Sequence, residues 1–225
     1  NTTLNLNTVE VLMPVEVQTS GTLNLPNIAL DIQDLEVGVG GQLQNTQTLN
    51  IINTLELKGG TLLGAGDVIL PGTASLLSNR GNSTISGKTL KSSTSVNWIL
   101  GSITLSNGAV FENNGTFNAN ATTTMTGTAP ADFINNGTFI KNTTGTTTTM
   151  NIPFTNNGSI EITAGELIFQ QGIQNGTNVM FDLGDGTLDP GETLTLEEGD
   201  SLVGSGTLSA NLVNDGTVSP GASPG

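Results

Sequence analysis

The sequence predicts an all-β protein and, within that class, a parallel β-helix (β-solenoid) with coils of about 20–22 residues. Three observations lead to this prediction. The composition is poor in helix-forming residues, a short motif recurs at a spacing close to one such coil, and apolar residues between the copies alternate with polar ones. Together they favour short stacked strands over helices.

The composition favours strands and turns and narrows the range of partners. Threonine, asparagine and glycine account for 35, 26 and 30 of the 225 residues. Threonine fits a pleated strand, while glycine and asparagine suit bends because both tolerate a positive φ. The chain has no cysteine, and 19 acidic residues against 5 basic ones give a net charge of −14. This charge argues against binding to nucleic acid or to an anionic membrane surface, and no apolar run is long enough to predict membrane insertion.

A seven-residue motif recurs in the second half of the chain. Copies at 111–117, 133–139 and 154–160 share Asn-Asn-Gly, and successive copies start 22 and 21 residues apart. A fourth copy, with Asn-Asp-Gly, lies at 212–218. In a hairpin meander each copy would be a loop, and nothing would then require the same residue in every loop. In a β-helix each copy is a corner that lies above the next, which favours identical residues.

Stacked corner asparagines are predicted to hydrogen-bond to one another along the helix, because each side-chain amide both donates and accepts. The predicted ladder comprises Asn113, Asn114, Asn135, Asn136, Asn156, Asn157 and Asn214.

Alternation of apolar residues marks the strands between the corners. Phe117, Ala119 and Ala121 occupy every second position, as expected for a strand with one buried face. Trp98 alternates with Val96 and Leu100, which predicts that its ring faces the core. No segment has a sustained helical period.

The Asn-Asn-Gly-Thr-Phe corners, the threonine-rich coils and the final segment 214–225 resemble the passenger regions of bacterial autotransporters and filamentous-haemagglutinin-like adhesins. The resemblance extends from about residue 105 to the end, and before that only in composition. It implies a right-handed parallel β-helix on, or released from, a bacterial surface. Relatives continue where this chain stops, so residues 1–225 are expected to be a single β-helix domain from a longer repetitive protein.

An acidic segment at 182–200 contains seven acidic residues and no basic one. It is predicted to be a loop insertion in the coil repeat. Four of its side chains could supply oxygen ligands to calcium, although their spacing departs from known calcium loops and a solvated loop is favoured. No other cofactor is expected. The possible metal ligands are Asp182, Asp185, Asp189 and Glu192.

The residues available for proton transfer are few, since the chain has no histidine or tyrosine and a single arginine, Arg80. The sequence therefore predicts no catalytic residues and a non-catalytic, adhesin-like segment, extracellular or on a bacterial cell surface. Its expected partners are a host or environmental surface, including glycans, and neighbouring domains of the same chain. Two alternatives remain. A polysaccharide lyase or hydrolase would show carboxylates converging with Lys or Arg on stacked strands, and an ice-binding solenoid would show one flat face of aligned threonines.

Overall fold

The structure is a computed structural model that describes residues 10–11, 13–25, 27–72 and 76–221. Within these ranges all the regular secondary structure is β-strand, and adjacent strands run parallel. The strands stack as a β-solenoid of about nine turns, which confirms the predicted parallel β-helix. No helix in these ranges is long and apolar enough to cross a membrane.

Each coil contributes strands to three faces. Four long strands bend from one face into the next: Leu30–Val37 and Leu49–Leu57 run from face 3 into face 1, and Thr138–Asn151 and Ser159–Phe169 run from face 1 into face 2. The other strands of face 1 are Val15–Val17, Leu76–Arg80, Ser95–Leu100, Thr116–Ala119, Met180–Asp182, Ser201–Gly204 and Thr217–Pro220. Those of face 2 are Thr22–Asn24, Gln42–Gln44, Thr61–Leu63, Ser83–Ser86, Ile103–Ser106, Thr123–Thr126, Thr187–Asp189 and Thr207–Leu208. Those of face 3 are Glu10–Val11, Val68–Leu70, Thr89–Ser92, Val110–Asn113, Asp132–Asn135, Phe154–Asn156, Gln174–Asn175, Leu194–Leu196 and Leu212–Asn214.

The core consists of inward side chains that stack on the equivalent residue of the next coil. On face 3, Phe111, Phe133 and Phe154 are in register, with ring centroids 5.2 and 5.0 Å apart. On face 1, Phe117 lies above Phe139 at 5.0 Å. The two stacks meet edge to face, a favoured aromatic geometry. This packing follows from the strand alternation, which places every second side chain inside the coil.

Trp98 lies in the same core and is fully buried, as predicted. Its Nε1 donates a hydrogen bond to the Gly101 carbonyl at 2.7 Å. Leu100, predicted to share its face, is instead exposed, because the strand register shifts between Trp98 and Leu100.

Residues 182–200 are not an inserted loop. They include the strands Thr187–Asp189 and Leu194–Leu196, and Leu188 pairs in register with Leu167 of the preceding coil. The side chains of Leu188 and Leu196 are buried. The segment therefore completes a regular coil, because its leucines alternate inward while most of its acidic residues take outward or corner positions.

Candidate functional site

The corner between faces 3 and 1 carries two columns of asparagines. Asn113, Asn135 and Asn156 form the inner ladder, in which all three side chains are buried. Asn113 Nδ2 donates to Asn135 Oδ1 at 2.8 Å, and Asn135 Nδ2 donates to Asn156 Oδ1 at 2.9 Å. The predicted hydrogen bonds between stacked corners are thus present here, and they satisfy amide groups that are shielded from water.

Asn114, Asn136 and Asn157 form the outer ladder on the exposed side of the corner. Asn136 Nδ2 donates to Asn114 Oδ1 at 2.9 Å, and Asn157 Nδ2 donates to Asn136 Oδ1 at 2.8 Å. Asn214 does not belong to either ladder. It pairs in register with Leu196, and its Oδ1 accepts a hydrogen bond from the Gly216 backbone N–H. A leucine cannot extend an amide ladder, so the column is interrupted before Asn214.

The corner glycines are required for close approach between coils and not for a positive φ. Gly137 and Gly158 are not among the residues with positive φ. A Cβ on either one would lie 2.1 Å from the carbonyl oxygen of the preceding corner glycine. The expectation of a left-handed turn conformation was therefore wrong for these glycines, although the recurrence of glycine at the corners has a structural cause.

The four possible calcium ligands are not assembled into a metal site. Oδ1 of Asp182 accepts a hydrogen bond from the Gly184 N–H at 3.0 Å, and Oδ1 of Asp189 accepts one from the Gly191 N–H at 2.9 Å. Asp185 instead accepts from the Ser205 hydroxyl, and Glu192 lies beside Gly172 of the preceding coil. In the described part of the chain, no group of three or more acidic side chains is placed to hold a metal ion.

Face 2 carries the hydroxyl column, which we define as Thr61, Thr84, Thr104 and Thr126. These threonines are in register on four successive coils, about 4.8 Å apart as neighbouring strands are. Oγ1 of Thr104 lies 3.2 Å from Oγ1 of Thr126. Gln42 continues the column at one end and Asn151 at the other. All these side chains are polar and uncharged, so the column offers repeated hydrogen-bond donors and acceptors without a net field.

An open groove of about 730 Å³ lies where the hydroxyl column meets the corner between faces 2 and 3. Its lining is uncharged and includes Asn107, Thr126, Asn151 and Gln171. Nε2 of Gln171 donates to Asn151 Oδ1 at 3.1 Å, which fixes the amide at the groove edge. We call this cavity the corner groove. Together, the hydroxyl column and the corner groove form an uncharged surface rich in hydroxyl and amide groups.

A charged cluster lies on the outer side of face 1 near the N-terminal end. Glu16, Glu36 and Glu56 are in register on successive coils. Lys58 Nζ lies 2.8 Å from Glu36 and 3.4 Å from Glu56, while Arg80 Nε lies 3.3 Å from Glu56. Hydrogen bonds to Glu36 raise the pKa of Lys58, despite a small opposing effect of burial. Sequence analysis placed no carboxylates on neighbouring strands in register, and this cluster corrects that expectation.

Two of these features were missed in the sequence for the same reason. The threonines of the hydroxyl column and the glutamates of the charged cluster recur at unequal intervals, because loops of different length separate the strands of successive coils. The N-terminal half also lacks the Asn-Asn-Gly corner that would have set the register. A search for outward threonines at intervals of 20–23 residues would have found the column. Comparison of the chain with family models, curated proteins and solved structures gave no match.

Proposed function

We propose that this chain is a non-catalytic, adhesin-like β-helix segment of an extracellular or bacterial cell-surface protein. It binds a neutral surface rich in hydroxyl groups, such as a glycan, through the hydroxyl column and the corner groove. The observation that carries the proposal is the uninterrupted uncharged register from Gln42 to Asn151 on face 2.

The chemistry of this surface supports a neutral ligand. The chain carries a net charge of −14, yet the face 2 strands from Thr22 to Thr126 contain no Asp, Glu, Lys or Arg. Neutral sugars present hydroxyl groups that donate and accept hydrogen bonds, and Thr, Asn and Gln side chains can match both roles. Acidic polymers are disfavoured because the acidic residues elsewhere on the chain repel them.

Binding to insoluble polysaccharides tests the proposal. The purified chain is mixed with neutral polymers, such as β-glucans and mannans, and with pectin and alginate, and the bound fraction is measured by sedimentation. We expect retention on at least one neutral polymer and none on the acidic ones. Retention on acidic polymers alone would contradict the proposal.

A second candidate function is cleavage of a polysaccharide at the charged cluster, favoured by Glu36 and Glu56 lying beside Lys58 on stacked strands. The ion pairs support a structural role instead, since each cation already neutralises a carboxylate. Released reducing ends or unsaturated products, lost in Glu36→Gln, would establish the enzyme and overturn the non-catalytic proposal.

A third candidate is ice binding, favoured by the aligned threonines of the hydroxyl column. It predicts that the chain slows ice recrystallisation and that Thr104→Lys abolishes the effect. An adhesin-like segment is expected to leave recrystallisation unchanged.

A further inference from the structure

Lys88 is a buried lysine outside the surfaces described above. Only 3% of its surface is exposed, and none of the ion pairs between described residues includes it. Its Nζ donates hydrogen bonds to Asn45 Oδ1 and, at 3.4 Å, to the Gly66 carbonyl. The amine therefore lies against the carboxamide of a residue 43 positions earlier in the chain.

Asn45 is buried as well, with 2% of its surface exposed. Its Nδ2 donates to the Gln47 carbonyl at 2.7 Å and to the Gly66 carbonyl at 3.1 Å. These bonds fix the carboxamide with its oxygen towards Lys88. Because Oδ1 is bonded to Cγ, the lysine nitrogen is held one bond away from the amide carbon. Such fixed proximity is equivalent to an effective molarity of about 10⁵–10⁸ M when the reacting groups are aligned.

The environment also favours a nucleophilic amine. Burial lowers the pKa of Lys88 to about 8, with a smaller opposing effect from the charge of Asp67. A desolvated lysine with a lowered pKa has its neutral, nucleophilic form populated near physiological pH.

We propose that Lys88 and Asn45 form an intramolecular isopeptide bond. The Nζ lone pair attacks Asn45 Cγ and forms the new C–N bond, the Cγ–Nδ2 bond breaks, and a proton passes from Nζ to Nδ2. The products are a secondary amide and one molecule of ammonia, so no oxidant, reductant or metal is required. The bond joins the coil containing Gln42–Gln44 to the coil containing Thr89–Ser92 across the coil between them. It is independent of what face 2 binds.

The mass of the intact chain, followed by a tryptic map, tests this proposal on the unmodified protein. We expect a mass lower than the sequence mass by one ammonia. The basic residues are Lys58, Arg80, Lys88, Lys91 and Lys141. Trypsin should therefore release one branched peptide that joins residues 1–58 to residues 81–91, uncut after Lys88.

Variants assign the bond to its two partners. Asn45→Ala and Lys88→Met should each have the full mass of their sequence. Lys141→Met is the matched control, because Lys141 is also buried but donates to the Thr146 hydroxyl and has no carboxamide to attack. It should retain the loss of ammonia. Separate peptides 1–58 and 81–88 from the unmodified chain would overturn the proposal, even if ammonia had been lost elsewhere. This map does not depend on whether the variants fold.

Discussion

At the scale of single residues, the inner ladder shows how a buried polar group can be kept inside an apolar coil. Asn135 donates through Nδ2 to Asn156 and to the Ser159 carbonyl, and its Oδ1 accepts from Asn113. Each amide thus completes the hydrogen bonding of its neighbour. At the end of the ladder, Nδ2 of Asn156 and Oδ1 of Asn175 are in the same column but lack partners.

Replacement of Asn135 by alanine should lower the free energy of unfolding by about 1–3 kcal/mol, because it leaves a buried donor and a buried acceptor unpaired. The matched control is Asn136→Ala in the outer ladder, where water can replace the lost bonds, and its cost should be smaller. Urea denaturation of both variants measures the difference. Equal effects would show that burial of the inner ladder does not set its energetic importance.

Lys141 predicts a pH dependence of stability. Burial lowers its pKa from an ordinary value of 10.5 to about 8 in the folded chain. Between these values the unfolded chain binds more protons at this position, so the free energy of unfolding should rise as the pH increases from about 8 towards 10.5. Denaturant titrations at about pH 8 and about pH 10 compare the parent chain with Lys141→Met. The variant should lack part of this rise, and identical pH profiles would refute the assignment.

At the scale of elements, the sequence predicted the coils wherever a corner motif repeats. The spacing of Asn113, Asn135 and Asn156 gave the register of face 3 because identical corners stack. It could not give the contact of Lys88 with Asn45, because these residues lie two coils apart and belong to no repeat. The surfaces of the N-terminal half depend on the length of each loop, which alternation alone does not fix.

The aromatic stack should dominate the stability of the central coils. Phe133 lies between Phe111 and Phe154 and touches Phe117 edge to face. Phe133→Ala should cost about 3–5 kcal/mol, since it removes a buried ring and leaves a cavity between rigid coils. Val213→Ala, at a position with 49% of its surface exposed, is the control and should change stability by less than about 0.5 kcal/mol. A loss below about 1 kcal/mol for Phe133→Ala would mean that neighbouring coils collapse into the space.

At the scale of the whole molecule, charge is distributed unevenly over the solenoid. Acidic side chains lie on face 1 near the N-terminal end and in the coil of residues 182–200, whereas the hydroxyl column is uncharged. Binding through face 2 should therefore change little with ionic strength, because salt screens charges and not neutral hydrogen bonds. Retention on a neutral polysaccharide is compared at low and high sodium chloride concentrations. A steep loss with salt would indicate that the charged cluster, and not face 2, contacts the ligand.

The most direct test of the account compares two faces of the same solenoid. The double variant Thr104→Lys and Thr126→Lys alters the hydroxyl column, while Thr116→Lys and Thr138→Lys alters an equivalent pair in register on the outer side of face 1. Affinity for the retained neutral polysaccharide is measured for both variants and for the parent chain. The account predicts a loss of about tenfold or more, equal to ~1.4 kcal/mol, for the face 2 variant and little change for the face 1 variant. An unchanged affinity in the face 2 variant, or an equal loss in both, would contradict it.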